Sequence, residues 1–340
     1  MTIWTDTATP GPLSGFAREL LDDLDTNKST LAEFLPNQET EHLYNEFEVG
    51  LEGLAPLADY RSWDAEPTFG DTPGTETRIV KLAPLGRQIQ ISEEDQQRAF
   101  SPNASDAVKN SVYGRVDRLV RGVAARIEML RGQAIVQSKI DVQYPKGAIK
   151  VDFGRDPSLT INLPTAQQWT SKTVSRLDQF DTWTDVYGGG RGIKPGAWMM
   201  STRVFRHLTN GAEFSTVLMG GAERKATIEE VQNLLQSYGH APIIINDRHT
   251  AAGRVIPDNV VVALPAPGSD TALGATLWGI TANARKPEYG IAPSEQPGIF
   301  AMVHEPVGAV PRIHVVVDAL AVPVVINPNL SLVATVLPAA

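Results

Sequence analysis

Between residues 102 and 138 apolar side chains recur every three or four positions, which is the spacing of one helix face. The stripe consists of Val108, Val112, Val116, Leu119, Val120, Val123, Ile127, Leu130 and Ala134. Ser101 and Pro102 suit the start of a helix, so the pattern predicts one helix from about Pro102 to Ser138. At 1.5 Å per residue it is ~55 Å long, about the diameter of a compact domain of this size. Three glycines are expected to bend it or end it early: Gly114, Gly122 and Gly132.

After this helix, alternation of apolar and polar residues predicts several strands and makes the fold class α+β. The predicted strands cover residues 139–144, 148–153, 160–163, 197–201, 241–246 and 259–265, followed by three strands between residues 312 and 336. Helices are predicted at residues 202–208 and after the capping box Thr227–Glu230. The sequence of residues 1–40 predicts a weakly structured arm with one short helix at residues 14–24. The apolar side chains of Leu31, Phe34 and Leu35 are expected to dock this arm onto the body.

Residues 59–91 combine a tip rich in proline and glycine with strand-like stretches at 75–82 and 87–91. This pattern predicts a long extended hairpin that adds little to its own subunit's core. Long loops in compact domains usually carry a function or are disordered, so we expect an interaction arm. The candidate contact residues in this hairpin are Trp63, Phe69, Pro73, Lys81 and Arg87.

Charge changes sign along the chain of 340 residues, whose net charge is −9. The first hundred residues carry 19 acidic and 7 basic side chains, and residues 101–140 carry 3 acidic and 7 basic ones. The overall charge excludes a protein that grips nucleic acid with its whole surface. Arg115, Arg118 and Arg126 of the predicted helix could face DNA phosphates. The competing interpretation, which the sequence slightly favours, is that these arginines pair with acidic residues of the protein.

The absence of cysteine excludes disulfides and thiol catalysis and favours a reducing compartment. We expect no signal peptide in residues 1–10 and no membrane-spanning segment. The glycine-rich run formed by Gly188, Gly189, Gly190, Arg191 and Gly192 is interpreted first as a flexible loop and only second as a phosphate site. The six histidines and the paired carboxylates form no recognisable site, so we expect no catalytic residue, cofactor or metal.

The order of these parts resembles the Hong Kong 97-type fold of tailed-phage major capsid proteins, and in particular the lambda-like major capsid protein E family. The residues that carry the resemblance are 69–73 (FGDTP), 81–86 (KLAPLG), 126–132 (RIEMLRG), 151–155 (VDFGR), 255–260 (VIPDNV) and 322–328 (VPVVINP). The resemblance covers nearly the whole chain in order. It implies an N-terminal arm, an extended hairpin loop, a long spine helix, and peripheral and axial subdomains.

The resemblance implies five segments of the chain. They are an N-terminal arm and leading strand (1–58), the hairpin loop (59–91), the spine helix and peripheral strands (92–164), an axial domain (165–290) and the C-terminal strands (291–340). The candidate contact residues of the hairpin would then lie over a neighbouring subunit, and the glycine-rich loop would be a mobile connection in the axial domain. Lys81 is the only lysine of the hairpin, and nothing marks a partner asparagine, so covalent crosslinking is not expected.

A structural virion protein is the function that follows: a major capsid protein whose hexamers and pentamers form an icosahedral shell around double-stranded DNA, bound non-specifically. The implied partners are further copies of the chain, a portal protein and a separate scaffolding protein, with a decoration protein left open and no membrane. The subunit would assemble in the host cytoplasm and would not be an enzyme. The alternatives are a nucleotide-binding enzyme that uses residues 188–192, or another virion component.

Overall fold

The long amphipathic helix dominates the computed structural model of this chain. It runs without interruption from Ala104 to Gln137 (α3, 34 residues), so the predicted helix is confirmed. Every residue of the predicted stripe from Val108 to Ala134 is buried. The prediction that a glycine would end the helix early is wrong. Burial of nine apolar side chains outweighs the cost of ~1 kcal/mol for each helical glycine.

The structure describes residues 4–338, apart from 6–7, 28–29, 50–75, 99–103, 145–146, 190–192, 218–225, 269–272 and 307–311. The described helices are α1 (Pro10–Asn27), α2 (Glu93–Arg98), α3, α4 (Arg176–Gly188), α5 (Thr202–Thr209), α6 (Ala212–Val217) and α7 (Ile228–Ser237). The strands are β1 (Asn37–Glu39), β2 (Tyr44–Val49), β3 (Glu76–Lys81), β4 (Pro84–Ile91), β5 (Lys139–Tyr144), β6 (Gly147–Asp152), β7 (Thr160–Asn162), β8 (Ala197–Met200), β9 (Ile243–Ile245), β10 (His249–Thr250), β11 (Gly253–Arg254), β12 (Val260–Leu264), β13 (Gly274–Gly279), β14 (Ile299–His304), β15 (Ile313–Val325) and β16 (Leu332–Thr335).

The first sheet is built around β15, which pairs with β13, β14 and β4, while β1 extends the sheet beyond β13. Ile313, Val315 and Val317 of β15 are buried in the same core as the α3 stripe. The residues between them are only half-buried, because successive side chains of a strand point to opposite faces. One face of this sheet therefore packs against α3 and forms the first core.

The second sheet, in the order β7-β16-β12-β8-β9, has both faces buried along its three central strands. Val260 and Val262 of β12 point into the first core, whereas Val261 and Ala263 point into a second one. The second core is rich in aromatic side chains: Trp169, Phe180, Trp183, Tyr187, Trp198, Phe205 and Phe214. The sheet includes β7 and β16, which lie outside residues 165–290, and the division into five segments stays a prediction.

The N-terminal region is better ordered than its sequence predicts. The helix α1 has 18 residues, and its Leu13 and Ala17 are fully buried. The prolines Pro10 and Pro12 do not break this helix, because they lie in its first turn, where the missing N–H has no helical partner. The expectation that Leu31, Phe34 and Leu35 dock onto the body is confirmed, since all three are buried. Over its described residues the arm is therefore a packed part of the subunit.

The hairpin pairs differently from the prediction. Its described arms are β2 and β3, which pair antiparallel from Tyr44↔Lys81 to Val49↔Glu76. The strand predicted at residues 87–91 belongs to β4, which pairs with β15 in the first sheet. Alternation in the sequence identified both strands, but it could not tell which strand each one pairs with. The tip between the arms, including Trp63, Phe69 and Pro73, lies outside the described residues.

Two glycines of α3 lie in opposite environments. A Cβ added to Gly132 would lie 2.3 Å from the carbonyl oxygen of Val255, so the helix and the segment after β11 touch backbone to backbone. A Cβ added to Gly114 would meet nothing within 4 Å. Gly132 is therefore required by close packing, whereas Gly114 only weakens the helix.

His240 contacts the second core at its edge. Its side chain is buried, its ring lies 5.8 Å from that of Phe180, and its Nε2 lies 3.2 Å from the Asp181 carboxylate. Burial lowers the pKa of His240, and the opposing effect of the exposed Asp181 is smaller. The folded subunit therefore favours a neutral imidazole.

The glycine pair gives the first prediction. Gly132→Ala should lower the free energy of unfolding of the unassembled subunit by ~1–3 kcal/mol, because the methyl group has to displace backbone. Gly114→Ala in the same helix should raise it by up to ~1 kcal/mol, since alanine is the better helix former. Urea unfolding followed by circular dichroism measures both values. Destabilisation by Gly114→Ala, or tolerance of Gly132→Ala, would contradict this account of the packing.

The second prediction concerns the stability of the subunit at acid pH. Because the folded pKa of His240 lies below its unfolded value, its contribution to stability is complete above the unfolded pKa of about 6.5 and is lost as the pH falls from there through the lower folded pKa. Urea unfolding at about pH 7.5 and 5.5 should show a larger loss of stability for the wild type than for His240→Gln. The exposed His42 provides a matched control, His42→Gln, which should behave like the wild type. Equal losses in all three chains would refute the assignment.

Candidate assembly surfaces

The β2–β3 ribbon presents one face to solvent. Tyr44 and Ile79 are 58% and 60% exposed, values that stand out for large apolar side chains. Both lie on the same face, because Tyr44 is opposite Lys81 and Ile79 is two residues before Lys81 in the same strand. The Lys81 ammonium lies 5.7 Å from the centre of the Tyr44 ring. This outward face, defined by Tyr44, Ile79 and Lys81, also carries the exposed Glu46, which lies directly opposite Ile79, so it combines two apolar side chains with one positive and one negative charge.

Arg87 lies outside the ribbon, contrary to its predicted place in the hairpin. It belongs to β4 opposite Val317, and its guanidinium lies over α3, where a Cβ on Gly122 would be 3.6 Å from Nη1. The predicted contact residues thus separate into two groups. Lys81 lies on the outward face and Arg87 on the first sheet, and their contacts with other subunits stay a prediction.

The arginines of α3 fall into a group with acidic partners and a group exposed at the surface. Arg115 donates a hydrogen bond to the Asp95 carboxylate at 2.8 Å, so at this position the structure supports pairing within the protein. Arg121 makes a two-pronged contact with Asp117, which raises the pKa of this guanidinium. Arg118 and Arg126 are exposed, and Arg126 borders an open groove of ≈ 440 Å³ beside the β5–β6 hairpin. Fewer arginines of this helix are therefore available to contact phosphates than the sequence suggests.

A buried ion network joins α1, α3 and the first sheet. Arg131 is almost fully buried and donates to Asp25 at 3.0 Å, to Asn37 at 2.6 Å and to Thr276 at 2.9 Å. Glu128, one helical turn earlier, lies 3.4 Å from Arg131.

Glu128 also accepts a hydrogen bond of 2.9 Å from the backbone N–H of Leu31. Burial raises the pKa of Glu128, and its positive neighbours only partly oppose that change. Both residues belong to the 126–132 motif, in which these two charged side chains are structural, whereas Arg126 is exposed.

The end of α3 is closed by an arginine that sequence reasoning missed. Arg155 donates to the carbonyl oxygens of Ile135 at 2.9 Å and Val136 at 2.7 Å, which have no partner inside the helix. Burial lowers the pKa of Arg155 to about 10, so it remains charged near neutrality. A cation at a helix C-terminus also opposes the negative end of the helix dipole. The 151–155 motif contains this residue, but no local pattern connects it with α3.

The glycine-rich run begins at the end of a helix. Gly188 is the last residue of α4, and Gly189 caps it with φ of 49°, its N–H donating to the Asp185 carbonyl at 2.9 Å. A phosphate prefers the N–H end of a helix, and here the carbonyl end comes first. Gly190, Arg191 and Gly192 lie outside the described residues. The described glycines thus have a capping role, which disfavours the phosphate interpretation for them.

The described residues offer few other candidates for a metal, catalytic or membrane-spanning site. Over the described ranges, no group of three or more histidine and carboxylate side chains could hold a metal ion. The pair Asp247 and His249 is linked to Arg254, which donates to the carboxylate of Asp247. The described helices include none that is both long and apolar enough to cross a membrane.

Comparison with solved structures supports the fold. A phage-related protein from Bordetella bronchiseptica RB50 matches with a TM-score of 0.61 and 14% identity, over 98% of this chain and 99% of that chain. A putative prophage capsid protein from E. coli CFT073 matches with a TM-score of 0.61 and 12% identity, over 94% and 97%. The satellite phage P4 procapsid matches with a TM-score of 0.50 and 8% identity, over 95% and 91%. The Hong Kong 97-type capsid fold predicted from the sequence is confirmed.

Sequence comparison identifies the family. No curated protein matches the chain significantly. The family model described as phage major capsid protein E, in contrast, matches residues 21–294, which include α3, both arms of the ribbon, the second sheet apart from β16, and β1, β4 and β13 of the first sheet. A match over most of the chain, together with the capsid fold, gives the protein a structural role in the virion. The chain therefore belongs to the phage major capsid protein E family.

Proposed function

We propose that this chain is the repeating subunit of an icosahedral phage head, in which hexamers and pentamers enclose packaged double-stranded DNA. The observation that carries the proposal is the outward face of the ribbon. A single subunit leaves Tyr44 and Ile79 in water, and exposed apolar surface of this kind marks contact sites between proteins. A neighbouring copy that covers this face would bury it. The ribbon is thus proposed as a contact between subunits.

The remaining partners follow from family membership. We propose a portal protein at one vertex and a separate scaffolding protein during assembly, which takes place in the host cytoplasm. A decoration protein is compatible with this arrangement but has no surface assigned to it. The subunit is proposed to be structural without catalytic activity.

Contact with DNA is proposed for Arg118 and Arg126. Both are exposed on α3, while Arg115 is held by Asp95. Arginines that contact phosphates act without sequence readout, and their effect weakens as salt rises. The proposal therefore assigns non-specific DNA contact to two of the three predicted arginines.

The third prediction tests the ribbon. Ile79→Asp should abolish or strongly reduce shell formation, because a charge replaces an apolar side chain in the contact. Ile79→Val, the matched control, keeps the apolar surface and should assemble like the wild type. Both chains are expressed with the neighbouring phage genes and are examined by negative-stain electron microscopy.

The unfolding transition of each unassembled variant shows whether the body is intact. Because Ile79 is 60% exposed, neither change should lower the free energy of unfolding by more than ~0.5 kcal/mol. Normal shells from Ile79→Asp would contradict the proposed contact. A wild-type chain that forms no capsomers or shells would contradict the function itself.

The fourth prediction separates DNA contact from internal pairing. Arg118→Glu with Arg126→Glu should leave empty shells intact while weakening binding of duplex DNA by purified capsomers, and the slope of log affinity against log salt should fall by about one per arginine. Arg115→Glu should instead destabilise the subunit, because it breaks the ion pair with Asp95. Loss of shells in the double variant would assign the two arginines to protein contacts.

A further inference from the structure

The β2–β3 ribbon needs an external support to keep a fixed direction. Within the described residues its two strands pair with each other and with no other strand. An isolated two-stranded ribbon is marginally stable in water and twists easily. The angle at which the ribbon leaves the subunit therefore depends on what its inward face contacts.

The inward face contacts the body at its base, where Val80 is buried in the first core, and at one turn farther along the ribbon. Phe47 and Arg78 are directly opposite each other, so their side chains lie on the same face of the ribbon. The guanidinium of Arg78 donates to the backbone carbonyl of Asp152. The ring of Phe47 lies 6.5 Å from that of Phe153, which is fully buried. Two adjacent side chains of the ribbon thus reach two adjacent residues of the body.

The turn is shaped to receive the guanidinium. Gly154 has a φ of +72°, and its N–H donates to the Asp152 side chain at 2.9 Å. A Cβ on Gly154 would lie 2.6 Å from Nη2 of Arg78, so a larger residue would occupy the place of the guanidinium. The left-handed conformation and the close contact both favour glycine here.

The same turn is fixed to α3. The N–H of Phe153 donates to the carbonyl of Ser138 at 2.9 Å, directly after the helix. Arg155, the next residue but one, closes the C-terminus of α3. Lys139 pairs with the Asp152 carboxylate at 2.9 Å. Residues 152–155 thus connect the ribbon to α3, the longest helix of the subunit, and the direction of the ribbon depends on the position of that helix.

We infer that Arg78 is a positioning residue for assembly: its contact with residues 152–154 fixes the angle of the ribbon, and hence the geometry at which the outward face meets a neighbouring subunit. We call this contact, formed by Arg78, Phe47 and residues 152–154, the Arg78 latch. The inference rests on the proposed function, since it presumes that the ribbon contacts another copy. It assigns Arg78 to the orientation of the contact and not to the contact surface itself.

The test compares Arg78→Ala with Arg78→Lys and with Lys81→Ala, a control on the opposite face of the same strand. In the unassembled subunit, amide hydrogen exchange within β2 and β3 should become about tenfold faster in Arg78→Ala, since a charge-assisted hydrogen bond is lost. Lysine can still donate one hydrogen bond to the Asp152 carbonyl, so Arg78→Lys should restore part of the protection. Lys81→Ala should exchange like the wild type.

Assembly provides the readout that a merely stabilising residue would not change. Arg78→Ala should give particles of mixed diameter or open sheets, while Arg78→Lys gives particles closer to the uniform wild-type shells. Unchanged exchange in β2 and β3, or uniform Arg78→Ala shells, would overturn the inference. Failure of the wild-type chain to form shells would overturn the proposed function, and the exchange measurement would still decide whether the latch exists.

Discussion

The burial of Arg131 constrains much of this subunit. A guanidinium that is almost wholly withdrawn from water has to be surrounded by acceptors, because an unpaired buried charge costs several kcal/mol. Its acceptors, Asp25, Asn37 and Thr276, come from α1 and β1, which are close in sequence, and from β13, which is far from both. Each of these elements must therefore be in place for the others to be stable. The ion network contributes register and orientation, while the apolar stripe of α3 supplies the driving force for burial.

The C-terminal part of α3 connects this network to other parts of the subunit. Near its C-terminus Gly132 allows the backbone around Val255 to approach directly, which brings the segment between β11 and β12 against the helix. At the end itself Arg155 and Phe153 hold the turn on which the ribbon rests. The ribbon exposes Tyr44 and Ile79, yet the turn that supports it is only a few residues from the last turn of α3, whose apolar stripe is buried. A rigid base is a physical requirement for an arm that has to find a neighbour reproducibly.

Much of the architecture could be predicted because periodicity records burial. The stripe from Val108 to Ala134, the strands β5 and β12, and the capping box of α7 follow from local spacing. The partners of strands and of side chains, in contrast, do not follow from local spacing. Alternation identified the strand at residues 87–91 but not its pairing with β15, and no spacing connects Arg78 with Asp152 or Arg155 with α3. Pro12 lies in the first turn of a helix and Gly189 caps the end of another, so proline and glycine mark helix ends here. For the ribbon, the sequence predicted an interaction arm without predicting what orients it.

The second sheet has a mechanical consequence. Along β12 and β8 successive side chains enter opposite cores, so the sheet lies between the two cores and contributes side chains to both. Bending the subunit at this sheet would open one core or the other, at a cost of roughly 25 cal/mol for each Å² of apolar surface exposed. Thermal energy at 25 °C is about 0.6 kcal/mol, which is far too little for such an opening. The subunit is therefore rigid at this sheet, and the curvature of a shell built from it has to arise at the contacts between subunits.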